Sequence, residues 1–100
     1  MSYELDEARL HRGELSRDGG YHRQLECLSD LQSLTAQITH MVMGFGRVED
    51  VAETIAYGLI AIGQLQAWYN CEEIVDSRRR QIVYERLARL ARMKEADPDA

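Results

Sequence analysis

The segment from Val48 to Tyr69 constrains the fold most, because on a helix it is apolar on nearly every face. Its last acidic residue is Glu53, and the next charged residue of either sign is Glu72. Large apolar side chains fill the interval, at Ile55, Tyr57, Leu59, Ile60, Ile62, Leu65, Trp68 and Tyr69. Such a helix is typical of the inside of a bundle or of a contact between chains. Either flanking helices cover it fully, or a part around Tyr57 and Gln64 is left for a second copy or a partner.

The same segment is not expected to span a membrane. Its uncharged part contains Gln64, Gln66 and Asn70, and its dense apolar part is shorter than the roughly 20 residues that a bilayer core requires. The N-terminus is acidic and lacks the apolar stretch of a secretory signal. We therefore expect a cytoplasmic protein, in which Cys27 and Cys71 are free thiols.

Two further helices are predicted on either side of the central one. Residues 21–43 carry apolar side chains at three- and four-residue steps, with Glu26, Asp30, Ser33, Gln37 and His40 on the other side. Gly44 is expected to end this helix in the left-handed conformation, with Phe45 folded back on the apolar face. Residues 71–95 form the last helix, whose buried side is expected to contain Ile74, Val75, Ile82, Val83, Leu87, Leu90 and Met93.

The connections and ends are marked by local signals. Asn70 and Glu73 have the spacing of a capping pair that opens the last helix, and a continuous kinked helix is the alternative. Residues 3–17 form either a short helix or a partly ordered arm, because their apolar spacing is irregular and Gly13 weakens a helix. Asp18-Gly19-Gly20 is predicted as a turn, and Asp97-Pro98-Asp99 as the end of the last helix.

These patterns predict an all-α fold with one domain over residues 1–100. The domain is a small helical bundle of three long helices plus a short N-terminal helix or arm. Residues 1–18 contain the arm if that segment is only partly ordered, and residues 96–100 form a frayed tail. Helices 21–43 and 71–95 are expected to pack around the central helix.

Charge is distributed unevenly along the second half of the chain. Residues 48–77 contain six acids and no base, whereas residues 78–94 contain seven bases and one acid, Glu85. One explanation is that acids stabilise helix starts and bases stabilise helix ends. The other is an electrostatic surface for a basic protein partner. That surface would consist of Glu49, Asp50, Glu53, Glu72, Glu73 and Asp76, with Tyr57 as an exposed aromatic contact.

The arginines of the last helix give an alternative hypothesis, a small dimeric DNA-binding regulator. Its phosphate contacts would be Arg78, Arg79, Arg89 and Arg92. Consecutive arginines point in different directions on a helix, however, and the acids that open this helix would repel phosphate. The formal net charge of −5 also argues against a general nucleic-acid-binding surface.

Catalytic and metal-binding motifs are not recognised in the sequence. His11, His22 and His40 do not have the spacing of a metal site with the two cysteines, so we expect surface histidines and small buried thiols. Neither a GxSxG motif nor a phosphate-binding glycine loop occurs. Adjacent acids such as Glu72 and Glu73 diverge on a helix and do not converge on one substrate. We therefore expect a protein that is not an enzyme and that uses no cofactor or metal.

The acidic blocks from Glu49 to Glu53 and from Glu72 to Asp76, on helices without a catalytic motif, underlie a resemblance to a known group. A small, acidic, all-helical chain of this kind resembles the phage anti-CRISPR proteins that act on type I systems. The resemblance concerns the whole chain as a type and assigns no individual residue. It implies a non-enzymatic inhibitor in the cytoplasm of the host bacterial cell. Such an inhibitor binds a basic subunit of the crRNA-guided surveillance complex, or its nuclease, and blocks target DNA binding.

In this leading hypothesis the protein contacts neither nucleic acid nor a membrane directly. The mixture of an acidic block and an arginine-rich helix favours a wedge between subunits over a mimic of DNA. A third hypothesis is a structural adaptor that only associates with itself, and a homodimer is an alternative oligomeric state to a monomer.

Overall fold

The computed structural model describes residues 2–16 and 20–96. Within these residues four helices follow one another: α1 (Tyr3–Leu15), α2 (Tyr21–Val42), α3 (Val48–Tyr69) and α4 (Glu72–Ala96). The all-α prediction is confirmed, and the N-terminal segment forms a helix, which was one of its two predicted states. The turn predicted at Asp18-Gly19 and the helix end predicted at Asp97-Pro98-Asp99 lie outside the described residues.

Two compact units divide the chain. The first, Met1–Asn70, contains α1, α2 and α3, and the second, Cys71–Ala100, contains α4. The prediction that residues 71–95 pack on the central helix stays a prediction. Among the described residues, no helix is long and apolar enough to cross a membrane.

The end of α2 follows the left-handed terminator that the sequence predicts. Gly44 has φ +90°, its N–H donates to the Met41 carbonyl at 3.1 Å, and the Phe45 N–H donates to the His40 carbonyl at 2.8 Å. This pair of bonds is the Schellman motif. The Phe45 side chain does not fold back as predicted, because it is 63% exposed. The two backbone bonds close the helix without a side-chain contact.

A second left-handed residue separates α3 from α4. Asn70 has φ +50°, and its N–H donates to the Ala67 carbonyl at 3.3 Å. The break predicted at this position is confirmed, and the continuous helix is wrong. Asn70 ends α3 and is not the side-chain cap that we expected for α4. An asparagine tolerates the left-handed conformation better than other residues with a side chain, which explains its place here.

Close contacts between helices in the first unit occur at glycines of α3. A Cβ atom added at Gly58 would lie 3.1 Å from Leu34 Cδ2 on α2, and one added at Gly63 would lie 2.8 Å from His11 Nε2 on α1. The helix axes can therefore approach closely where α3 lacks side chains. The small core around these contacts contains the buried residues Cys27 and Ala61.

The prediction that α3 is covered on nearly every face is wrong for the first unit. Its buried residues are Gly58, Ala61 and Gln64, whereas Ile55, Leu59 and Ile62 are exposed. Helices α1 and α2 therefore leave these three apolar side chains of α3 uncovered. The alternative placed the open part around Tyr57 and Gln64. Tyr57 is exposed, but Gln64 is buried, and the open apolar residues are Ile55, Leu59 and Ile62.

The predicted buried side of α4 is likewise not buried. This helix has no buried residue, and Val75 and Ile82 are only half-buried. The remaining apolar side chains of the predicted set are exposed, at Ile74, Val83, Leu87, Leu90 and Met93. A unit built from a single helix has no second element that could cover an apolar side.

Replacement of Gly20 tests the packing at the start of α2. Gly20 has φ +79°, and an added Cβ would lie 2.2 Å from Trp68 Cζ3 on α3. We expect Gly20→Ala to lower the free energy of unfolding by about 2–4 kcal/mol, since left-handed strain and displacement of the indole add together. Urea unfolding followed by circular dichroism measures this loss.

Gly44→Ala is the matched control. Gly44 also has positive φ, but nothing lies within 4 Å of an added Cβ, so only the backbone strain of about 1–2 kcal/mol is expected. Equal losses in the two variants would show that the Trp68 ring does not pack against Gly20.

Candidate functional site

An open groove of about 350 Å³ lies between α2 and α3. We call it the acidic groove. Side chains at helical three- and four-residue steps form its two walls. They are Asp30, Ser33 and Gln37 from α2, and Asp50, Glu53, Thr54 and Tyr57 from α3. Three of these residues are acids and none is a base, so the groove favours a positively charged ligand.

Three of the predicted partner-binding residues meet in this groove. Asp50, Glu53 and Tyr57 lie on one stripe of α3, and Tyr57 is 53% exposed. The expectation that Tyr57 is an exposed aromatic side chain is therefore confirmed. An exposed tyrosine beside carboxylates combines an apolar contact surface with a hydroxyl group that can form hydrogen bonds.

The other predicted acids lie elsewhere. Glu49 is outside the groove and forms an exposed ion pair with Arg47 at 3.7 Å. Glu72, Glu73 and Asp76 lie on the first turns of α4, in the second unit. Within that helix, Asp76 Oδ2 accepts a hydrogen bond from Arg80 Nε at 3.0 Å. The groove therefore contains only part of the predicted acidic surface.

Sequence reasoning did not assign Asp30, Ser33 and Gln37 to the site. The sequence pattern showed that these residues lie on the polar side of α2. It did not show which side of α3 lies next to them. Asp30 also approaches Arg23, whose Nη2 is 3.8 Å from the Asp30 carboxylate. This contact connects the groove with a polar cluster in the interior of the first unit.

The centre of that polar cluster is Gln64, which is fully buried. Its Oε1 accepts hydrogen bonds from Arg23 Nε and from Cys27 Sγ, the latter at 3.5 Å. Its Nε2 donates to Glu14 Oε1 at 2.9 Å. The Gln64 amide thereby joins α3 to α2 and α1. The expectation that the region around Gln64 is left open for a partner is wrong at Gln64 itself.

Arg23 is the cation of the cluster. Its guanidinium lies 3.5 Å from the Glu14 carboxylate and also forms an ion pair with Glu26. Burial alone would lower the pKa of Arg23, but the hydrogen bond with Glu26 and the charge of Glu14 outweigh it and raise the pKa above its ordinary value. The side chain is therefore charged at neutral pH.

The buried thiol and a buried histidine complete the interior. Burial raises the pKa of Cys27, an effect that the nearby charge of Arg23 partly opposes, so this thiol is protonated at neutral pH. The prediction of a small buried thiol is confirmed for Cys27. His11 was expected at the surface but is buried, with Nε2 3.6 Å from Glu7. It occupies the space that Gly63 leaves open on α3.

A basic face is present on α4. Arg78, Ile82, Glu85, Arg86, Arg89 and Arg92 line it. Three of the four arginines predicted for nucleic acid share this face, whereas Arg79 is not part of it. Glu85 lies within it and approaches Arg78 Nη1 at 3.4 Å.

Comparisons with known proteins assign no family to this chain. No family model, curated protein sequence or solved structure matches it. Among residues 2–16 and 20–96, no group of three or more histidine, cysteine, aspartate or glutamate side chains is arranged to hold a metal ion. The chemistry of the acidic groove and of the basic face therefore carries the functional interpretation.

Replacement of Gln64 tests the polar cluster. Gln64→Glu keeps an oxygen toward Arg23 but replaces the donor that lies 2.9 Å from Glu14 with a second carboxylate oxygen. We expect the free energy of unfolding at pH 7 to fall by about 3 kcal/mol, because a buried carboxylate at position 64 then faces the half-buried carboxylate of Glu14. The loss of stability should become smaller as the pH falls. Repulsion by Glu14 raises the pKa of the new carboxyl group at position 64, so the folded variant takes up a proton there as the solution becomes more acidic.

The exchanged pair Glu14→Gln with Gln64→Glu is the control. It restores one amide opposite one carboxylate, so most of the lost stability should return, as urea titrations at pH 5 and pH 7 can measure. If the double variant is as unstable as the sum of the two single variants, the Glu14–Gln64 contact is not a stabilising interaction.

Proposed function

We propose that this protein is a non-enzymatic inhibitor that binds a basic protein surface through the acidic groove. The observation that carries the proposal is that Asp30, Asp50 and Glu53 line one groove together with the exposed side chain of Tyr57. Complementary charge accelerates association and selects the partner, while an exposed aromatic side chain contributes contact energy. The groove thus has both features that a protein-binding site requires.

The partner that we propose is a basic subunit of a type I crRNA-guided surveillance complex, so that its binding prevents the complex from engaging target DNA. The support for this choice is the resemblance of the chain to anti-CRISPR proteins in size, charge and helical content. A subunit that handles nucleic acid presents lysine and arginine side chains, which suit carboxylates in an open groove. Because α4 is rich in arginine, inhibition by insertion between subunits fits better than inhibition by imitation of DNA.

Charge reversal within the groove tests this proposal. The double variant Asp50→Lys, Glu53→Lys should weaken binding to an immobilised surveillance complex at least tenfold, on the order of 1.4 kcal/mol or more. The same variant should restore binding of the complex to labelled target DNA. Biolayer interferometry measures the first quantity, and an electrophoretic mobility assay measures the second.

Glu49→Lys is the matched control, because Glu49 is an exposed acid on the same helix end but outside the groove. It should weaken binding by no more than about twofold. Equal effects of the two changes would indicate a general charge effect and not a groove contact. If the native protein neither co-purifies with the complex nor reduces target-DNA binding, the proposed partner is wrong.

The basic face of α4 supports a second candidate function, a small dimeric DNA-binding regulator. Arg78, Arg89 and Arg92 share this face with Arg86, and a row of arginines can contact successive phosphates. For this function we expect that Arg89→Glu with Arg92→Glu abolishes binding to a fluorescent duplex at low salt. Native binding should weaken steeply as the salt concentration rises.

Arg79→Glu is the control for that experiment, since Arg79 lies on the same helix but off the basic face. It should leave most of the binding intact in the same fluorescence anisotropy titration. If the native protein does not bind the duplex even at low salt, the regulator hypothesis is excluded.

A further inference from the structure

Helix α4 carries a stripe of seven residues with the spacing of a coiled-coil seam. Steps of three and four residues connect Glu73, Asp76, Arg80, Val83, Leu87, Leu90 and Lys94. Such a spacing places side chains on one side of a helix, where a second helix can pack. The stripe begins with two acids and Arg80, continues with three apolar residues, and ends with Lys94.

The apolar part of this stripe lies in solvent in the second unit. Val83, Leu87 and Leu90 are 53%, 55% and 58% exposed, and α4 has no buried residue. In water, helices of this length obtain most of their stability from packing of an apolar side against another element. A helix that covers the stripe would therefore stabilise α4.

We propose that the stripe binds the same stripe of a second copy of this chain, with the two α4 helices antiparallel. The stripe alternates between a and d positions of the heptad, and in an antiparallel pair each a position of one helix faces a d position of the other. Val83 then faces Leu87 of the second copy, and Leu87 faces Val83. In this register Asp76 faces Lys94 of the second copy at each end of the seam. The proposal does not depend on the proposed inhibitor function, and it uses a different part of the chain.

Charge selects this orientation over the parallel one. A parallel pair in register would place Glu73, Asp76, Arg80 and Lys94 each opposite its own copy, so that four layers of the seam would contain like charges. In the antiparallel register, Arg80 faces Leu90, and its aliphatic stem can cover that side chain while the guanidinium reaches water. Each of its acid–base contacts occurs twice by symmetry.

The basic face of α4 lies on a different side of the helix from the seam. Arg78, Arg89 and Arg92 belong to that face and are not members of the stripe. Pairing through Val83 and Leu87 therefore leaves these arginines accessible. The interface is isologous, because the same surface is used by both copies, and it closes at a dimer.

Sedimentation equilibrium of the full chain tests the pairing. The native protein should form a dimer, and Val83→Glu should raise the dissociation constant at least tenfold because it places a charge in the apolar centre of the seam. Gln81→Glu is the matched control, since position 81 lies on α4 away from the stripe. It should change the constant by no more than about twofold.

An exchange of charges tests the orientation. Asp76→Lys alone and Lys94→Asp alone should each weaken the dimer several-fold, since each change places like charges opposite one another in the antiparallel register. The double variant should recover the native constant, because the exchanged charges again face their opposites. In a parallel pair the double variant would still place like charges opposite each other, so its dissociation constant would not return to the native value.

Three results would overturn the proposal. They are a strict monomer at about 0.1 mM protein, equal effects of Val83→Glu and Gln81→Glu, or no recovery in the exchanged double variant. Circular dichroism accompanies each measurement. In the native protein, helix content should fall on dilution below the dissociation constant, because α4 loses its packing partner. A variant that is monomeric but otherwise folded should show the reduced helix content at every concentration.

Discussion

The fold of the first unit depends on the buried amide of Gln64. A buried amide must satisfy both its oxygen and its nitrogen, and an unpaired group would cost on the order of 1–3 kcal/mol. Here the oxygen accepts from Arg23 and the nitrogen donates to Glu14, so the two partners come from two different helices. A rotation of either helix about its axis would break one of these bonds. The amide therefore fixes how α1 and α2 are oriented on α3.

That orientation decides what the acidic groove contains. With Arg23 directed toward Gln64, the polar side of α2 turns Asp30 toward the stripe of α3 that carries Asp50 and Tyr57. Arg23 is surrounded by Glu14, Glu26 and Asp30, so its single charge is already compensated within the cluster. The groove thus retains a negative field although a cation lies close to it, and this field is the physical basis for the basic partner that we propose.

The sequence was sufficient for local structure and insufficient for contacts between distant segments. The end of α2 could be predicted because Gly44 acts through its own backbone conformation. The break at Asn70 was predicted at the right position but from a side-chain cap, whereas Asn70 ends α3 through its left-handed backbone. The role of Gln64 could not be predicted, because its partners are 41 and 50 residues away and meet it only in the folded chain. The exposure of Tyr57 was predicted correctly, but the pattern did not show which side of α3 is covered, because the apolar residues Ile55, Leu59 and Ile62 are exposed as well. Asp30 was not identified, because a polar side of a helix does not indicate which neighbour it faces.

The apolar side chains of this chain should be buried by packing, but a single copy buries only some of them. The apolar sequence of α3 predicts that other elements pack against it, but this sequence pattern does not show whether they belong to the same chain or to another molecule. In the first unit Ile55 and Leu59 stay exposed, and in the second unit so do Val83 and Leu87. Exposed apolar surface that exceeds what isolated monomers usually show is characteristic of association sites. The seam proposed on α4 follows from this incomplete burial, whereas the proposed role of the acidic groove follows from its charge, because neither Ile55 nor Leu59 lines the groove. The acidic groove gives a charge-selected contact with a different protein, and the seam on α4 gives a charge-selected contact with an identical one.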